Sequence, residues 1–427
     1  MNQFLFTLLI FTSVVNMAHI FMYLIGANIY DIKAFKRNHE LKESGANTAK
    51  NNPLVTVMIP AHNEETGVTK TLNSVCASTY KNLQVIVVDD ASTDTTRKVV
   101  NRYIEEHPDL PVEFLSIIMN RGKATALNFA IQEKARGEFV MTLDADSVID
   151  KHAIENTLKY FDDPNVAGVA ANVKIYHQQS IIALLQMFEH MIGYRSKKFY
   201  TLTNSEFIVG GVASTYRHDV LKRVGWYDTD TQTEDIGLSL KITAEGNKAN
   251  KLVYAEDVIA MTEAVQTTKA LFRQRFRWKL GMIQNLLKFG SVVGNTDSAY
   301  TRMLTYFRLP MAFLGEVMLL LEPLLFGYIL YLSIIYSEPG FFFGAYLTLI
   351  IYVSFIVWND NTMNLARRIQ LTAYFPILYF IFYIMNVVQL VAIFRCLANP
   401  SKLLRRSKTA STWISPERLG ALQAAVS

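Results

Sequence analysis

The chain has 427 residues, 51% of them hydrophobic and 19% charged, which is too apolar for a disordered protein and long enough for one sizeable core plus a membrane part. A net charge of +5, with no basic stripe outside the membrane flanks, argues against nucleic-acid binding and suits an anionic membrane surface or a phosphate ligand. Only two cysteines occur, Cys76 and Cys396, in unrelated contexts, which speaks against a disulfide framework; no cysteine/histidine cluster has zinc spacing.

Residues 4–30 are apolar and almost uncharged, enough for a membrane helix, which needs ~20 residues. The run is too long for a secretory signal, starts without Lys or Arg and lacks a clear cleavage site, so a retained helix is expected. Lys33, Lys36 and Arg37 follow at once and place the next region in the cytosol. Residues 33–53 read as a polar cytosolic linker.

From residue 54 the pattern becomes globular. VTVMIP, QVIVVDD, VEFLSII and EFVMTLD read as strands, with helices around 64–78, 92–106 and 122–136. Alternation of this kind predicts an α/β domain with a mostly parallel sheet and helices on both faces. Ligands then bind at the carboxyl ends of the strands, where PAHNE, Asp89-Asp90 and Asp144-Ala145-Asp146 stand. Further membrane segments are expected near 311–336, 341–358 and 373–397, followed by a tail from 399 to 427. Three crossings there would place the tail outside, whereas Lys402, Arg405, Arg406 and Lys408 ask for the inside. One of the segments 303–336 and 372–398 is then not a simple crossing, or the tail breaks the charge rule.

Three acidic groups carry the chemistry. Asp89, Asp90 and Asp94 fit a cleft at a strand end and equally fit caps and turns. Asp144 and Asp146, if extended, point the same way and need a cation between them; hard carboxylates suit Mg²⁺ or Mn²⁺, which also bind phosphate oxygens. A solvated turn is the other reading. Glu234 and Asp235 open a helix, where acids favour the macrodipole, and Asp235 also fits a general base at a cleft mouth. Arg121-Gly122-Lys123 lacks the upstream glycine of a P-loop, and no G-x-G-x-x-G occurs.

The stretch LFRQRFRWKL, residues 271–280, lies just before the later apolar segments. On a helix over 268–289, Gln274, Arg277 and Trp278 share a face. Leu271, Met282 and Phe289 continue an apolar stripe, and Arg273, Lys279 and Lys288 can reach lipid headgroups, so the segment reads as an interfacial helix. Arg277 can hold a diphosphate, and Trp278 offers a flat face for a sugar ring.

VVDD, DAD, TED and QRFRW, in this order, resemble the D, DxD, TED, QxxRW series of family 2 processive glycosyltransferases, which include cellulose, chitin and hyaluronan synthases. The run FIVGGVASTYRHDVLKRVGWYDTDTQTEDIGLSLKI and the tail STWISPERLG are most similar to the poly-β-1,6-N-acetylglucosamine synthases among them. The resemblance implies a GT-A domain over 54–267, an interfacial region over 268–302, transmembrane helices over 303–398 and a multi-pass protein of the cell membrane. It implies a UDP-sugar donor, UDP-N-acetylglucosamine above all, a growing polysaccharide acceptor and a small membrane accessory subunit. It assigns Ala61, Asn63, Glu64 and Asp89 to the nucleoside, Lys123, Asp144 and Arg277 to the rest of the donor, and Asp146 to the metal. Asp235 is implied as the base, and Gln274, Trp278 and Glu234 as the acceptor side. Arg121 and Val209 depart from the family pattern, which usually has glycine and Ser-Gly at these places. Transfer of one sugar to a lipid carrier, use of UDP-glucose, and a scaffold without catalysis are the rival expectations.

Overall fold

The computed structural model describes residues 2–44, 48–176, 180–337, 339–360 and 362–401. The basic tail residues Lys402, Arg405, Arg406 and Lys408 and the segment STWISPERLG lie outside the described residues. The first helix, α1 (Asn2–Ser44), continues well past the apolar run, so the first part of the expected linker is helical. The domain then holds β1 (Val55–Ala61), α2 (Val68–Cys76), β2 (Leu83–Asp90), α3 (Thr96–Glu106), β3 (Val112–Ile117), α4 (Lys123–Glu133) and β4 (Phe139–Thr142). Next come β5 (Ser147–Ile149), α5 (Ala153–Leu158), β6 (Val166–Tyr176), α6 (Ile181–Leu202), β7 (Ser214–Arg217), α7 (His218–Val224), α8 (Glu234–Thr243) and β8 (Lys251–Glu263). The chain ends in α9 (Thr268–Lys288), α10 (Leu309–Ile335), α11 (Gly340–Trp358) and α12 (Leu365–Leu397).

Among the described residues the eight strands form one sheet in the order β3-β2-β1-β4-β7-β6-β8-β5. Pairing is parallel across β3-β2-β1-β4 and again at β6-β8; β7 is antiparallel to both its neighbours, and β5 to β8. The order reverses between β1 and β4, and this switch point opens the crevice at their carboxyl ends. β1 is buried along its whole length, as a strand covered on both faces must be. Its alternation divides the core. Val57 and Ile59 pack with α2, α3 and α5, whereas Met58 packs with α4, α7 and α8.

The helix α1 is tied to the domain at the end that follows the apolar run. Lys198 and Arg195 of α6 hold Asp31 at 2.5 and 3.5 Å, Tyr30 donates to Tyr254 O at 2.7 Å, and Arg37 stacks 4.0 Å over Tyr160. Among the described residues, two helical stretches are long and apolar enough to cross a membrane, Gln3–Arg37 and Met303–Ile335; Phe342–Trp358 and Tyr383–Leu397 are shorter. The loop after α11 is held to β6 by the Lys174–Asp360 ion pair at 2.7 Å.

The contacts of α12 differ from those of a free-standing crossing. Leu371 and Phe375 pack on Phe188 of α6, Met385 and Val388 pack on Leu185 and on Leu271 of α9, and Gln389 reaches Glu189 at 3.4 Å. The helix α12 therefore packs on α6 of the domain and on α9, and also on α11 and α10, where Asn386 donates to Glu322 at 2.6 Å.

Candidate active site

The crevice is built from four local structures. The first is the end of β1. Asn63 adopts φ 56°, a left-handed turn that Asn tolerates. Its Oδ1 accepts from Thr93 N–H at 2.8 Å, and its own N–H donates to Ser92 Oγ at 2.9 Å. The loops after β1 and β2 are thereby joined. Ala61 is fully buried and paired with Asp89, and Glu64 is buried with its N–H on Thr96 Oγ1 at 2.8 Å. The Asp89 side chain is wholly buried and accepts from Ser92 N–H at 3.1 Å and from Arg97 at 3.3 Å. In this structure it supports the loop from below.

The second is the segment before α4. Arg121 and Gly122 N–H donate to the two oxygens of Asp90 at 2.9 and 2.8 Å, so a buried carboxylate shapes this turn despite the unusual Arg121. Gly122 sits at φ 88°, a conformation that favours glycine. Lys123, the next residue, starts α4 and points its ammonium at Asp144, with which it forms a short ion pair.

The third is the Asp144-Ala145-Asp146 segment. It is a turn, closed by Ser147 N–H on Asp144 O at 3.0 Å, and the extended geometry expected from spacing is not observed. β4 ends at Thr142 and β5, which pairs antiparallel with β8, starts at Ser147, so only four residues join two strands that lie apart in the sheet. The two carboxylates consequently have different partners: Asp144 meets Lys123, and Asp146, 5% exposed, accepts from Ser147 Oγ at 3.0 Å. Among the described residues no group of three or more His, Cys, Asp and Glu could hold a metal unaided. One or two carboxylates completed by substrate phosphates is, however, the usual way in which Mg²⁺ binds. The donor set therefore fits a divalent ion that arrives with a diphosphate.

The fourth is the start of α8. Glu234 lies 3.5 Å from Lys123, and a Cβ built on Gly211 would lie 3.1 Å from Lys123 Nζ and 3.7 Å from Asp235 Oδ2. Lys123, Asp144, Glu234 and Asp235 thus form one cluster, roofed by Gly211. Burial alone would push the Lys123 ammonium down, but Asp144 and Glu234 hold it above its usual range. Burial and then the Glu234 charge push the Asp235 carboxyl up to about 6, against the opposing pull of Lys123 and Arg277.

The QRFRW segment is carried by α9, which packs directly on this fourth element. A Cβ on Gly281 would meet Thr233 N at 2.8 Å, so only glycine allows the approach. Asn285 Nδ2 then donates to Thr233 O at 3.1 Å, and Gln232 N–H donates to Gln284 at 3.1 Å. Trp278, three residues before Gly281, is thus one helical turn from the TED segment. Gln274 and Trp278 are half-buried, while Arg277 is exposed and acts on Asp235 through its charge.

Two expectations for α9 need correction. Lys279 binds Glu316 of α10 at 2.8 Å, and Lys288 binds Asp228 and Asp230 at 2.7 Å each, so neither is left for headgroups. The apolar stripe is covered as well: Leu271 packs on Val388 of α12, and Leu286 packs on Leu304, just before α10, and on Leu309 at its start. Charges and apolar faces within reach of matching partners are used inside the protein before lipid can use them. Sequence reasoning allowed Asp90 a place in a turn without identifying the turn before Lys123 as the one it holds, and it passed over Arg275 as a buried cation among several. The doublet Asp89-Asp90, with two acids on opposite faces of a strand end, was the available signal for the first.

Residues 56–225 match the model of the glycosyl transferase family 2. A poly-beta-1,6-N-acetyl-D-glucosamine synthase of Staphylococcus epidermidis is 28% identical over 380 residues, which cover 85% of this chain and 87% of that protein. The synthase of the same name from Staphylococcus aureus strain COL is 31% identical over 237 residues, 55% of this chain and 56% of that protein. A mannosyltransferase from Pyrobaculum calidifontis, solved with GDP-Man and Mn²⁺, superposes with a TM-score of 0.55 at 22% identity, covering 90% of this chain and 97% of that one; this likeness shows the fold. With that GT-A fold, and with residues 56–225 matching the family 2 model, the chain is a glycosyltransferase.

Proposed function

We propose that the protein is a membrane-embedded, inverting and processive glycosyltransferase that polymerises N-acetylglucosamine from UDP-N-acetylglucosamine into an exported polysaccharide. The supporting observation is the Lys123–Asp144–Glu234–Asp235 cluster at the sheet's switch point, with the QRFRW helix seated on Thr233 beside it. Similarity to poly-beta-1,6-N-acetyl-D-glucosamine synthases along most of the chain supports the choice of sugar and polymer.

The nucleoside would rest on the ends of β1 and β2, where Ala61, Asn63, Glu64 and Asp89 lie. Lys123, Asp144 and Arg277 would hold the diphosphate end, with Arg277 adding positive charge where negative charge grows. Asp146 would hold Mg²⁺ or Mn²⁺ on the diphosphate, and the ion would neutralise it as a leaving group. In the transfer step the acceptor hydroxyl oxygen forms a bond to the anomeric carbon from the face opposite UDP. The bond from that carbon to the diphosphate oxygen breaks, and Asp235 takes the hydroxyl proton. Trp278 would stack on the acceptor sugar, with Gln274 and Glu234 lining its approach.

Membrane crossings by α1, α10 and α11, with α12 lying along α6 and α9 on the domain side, would place the basic tail in the cytosol with the catalytic domain. This arrangement reconciles the helix count with the charge rule. A small membrane subunit and deposition of the product outside the cell complete the reading. It is tested by supplying membranes that contain the protein with Mg²⁺ and single UDP-sugars, measuring UDP release, and digesting any product with linkage-specific hydrolases. UDP release and a long β-1,6-linked polymer from UDP-N-acetylglucosamine are expected. Exclusive use of UDP-glucose, or products of one added sugar on a lipid, would overturn it.

A further inference from the structure

The side chain of Arg275 is buried at 3% exposure, an unusual place for a guanidinium on a helix whose other cations reach the surface or polar clefts. Among the described residues it has one ion-pair partner, Glu189 of α6, at 2.5 Å. Its Nε is buried and without a hydrogen-bond partner among the described residues. The cation also meets an aromatic face: its Cζ lies 4.2 Å from the Trp278 ring centroid. Arg275 and Trp278 are three residues apart on α9, so the helix itself brings them onto one side. Glu189 is in turn approached by Gln389 of α12 at 3.4 Å.

We propose that Arg275 and Glu189 are positioning residues for the acceptor site: Glu189 fixes the guanidinium, and the guanidinium backs one face of the Trp278 indole so that the other face is presented to the sugar. The inference rests on the reading of Trp278 as the acceptor platform. A half-buried indole has two side-chain torsions to settle. A cation locked from behind by a second helix removes that freedom, and acceptor binding then loses less entropy on ordering the ring. Gln389 makes α12 part of the same support.

The test uses the full-length protein in nanodiscs, labelled with 5-fluorotryptophan. Its four tryptophans give four fluorine resonances, and Trp278→Phe assigns the one of interest. Arg275→Met and Glu189→Gln are each expected to shift the Trp278 resonance and leave the other three in place. The apparent KM for a soluble β-1,6-linked N-acetylglucosamine tetramer should rise at least about fivefold in Arg275→Met, with the donor KM changed less than about twofold. Arg275→Lys, which keeps the charge and loses the flat stack, should recover part of the acceptor affinity. If Arg275→Met does not fold, Glu189→Gln carries the same two readouts. An unmoved Trp278 resonance, or acceptor and donor KM rising together, overturns the proposal. A Trp278→Phe or Trp278→Ala protein with unchanged acceptor KM would instead overturn the acceptor reading, and the resonance shift would still show whether the pair positions the ring.

Discussion

Replacing Asp235 by Asn should separate chemistry from folding. Asp235 sits at the start of α8, pressed by burial and by the neighbouring Glu234 charge, and its carboxyl is pushed up to about 6. A base must be deprotonated to take the acceptor proton. The rate of the wild type should therefore fall as pH drops through about 6, close to tenfold per unit below it. Asn cannot accept the proton, so Asp235→Asn should lose about 10²–10⁴-fold in turnover and lose this acid limb. Glu234→Gln removes a like charge beside Asp235, so the limb should move to lower pH. The stability sign runs the other way. A carboxyl raised in the folded state binds protons more tightly there than when unfolded, so its charged form lowers stability above about pH 6. Asp235→Asn should accordingly unfold at no lower temperature than wild type at pH 7.5. UDP release and sugar incorporation, measured from pH 5 to 8.5 on protein whose melting curve is recorded in parallel, provide the check. An Asn variant that keeps more than a tenth of the activity, or a limb that Glu234→Gln leaves in place, would refute the assignment.

Lys123→Met leaves Asp144 and Glu234 without their shared cation; it should cost at least about 10²-fold in turnover and lower the melting temperature of the donor-free protein. Gly281→Ala places a methyl against Thr233 N and should destabilise the protein by about 1–3 kcal/mol, read by thermal unfolding, with a fall in activity as α9 is pushed off the TED segment. Asp90→Ala removes an acceptor of two backbone N–H groups in the Lys123 turn, leaving Gly122 N–H its longer bond to Asn120 Oδ1; it should cost about 1–3 kcal/mol and raise the donor KM. Chelation of divalent ions should stop UDP release, and added Mg²⁺ or Mn²⁺ should restore it.

How much was legible depends on the distance over which each feature is decided. The runs VTVMIP, QVIVVDD, VEFLSI and EFVMT became β1 to β4, and the helices between them fell inside the expected ranges, because period and turn chemistry act over a few residues. The order in which β5 to β8 join the sheet, with its change to antiparallel pairing, had no local signal. The i, i+2 spacing of Asp144 and Asp146 misled, since a turn, decided by where β5 must pair, replaced the extended segment.

The candidate site divides in the same way. Asp89, Lys123, Asp144, Glu234, Asp235, Arg277 and Trp278 stood out as residue types able to hold a diphosphate, move a proton or carry a sugar, and that chemistry belongs to the side chains themselves. That Lys123 would sit between Asp144 and Glu234, that Lys279 and Lys288 would turn inward to Glu316, Asp228 and Asp230, and that Arg275 would be buried behind Trp278 could not be read from their neighbours in the chain. Sequence determined which groups can ionise, stack or cross a membrane, because those are properties of short segments in water or lipid. Tertiary structure alone decided which charges meet and which are buried, because ion pairing and desolvation depend on what lies within a few ångströms in space, whatever the separation along the chain.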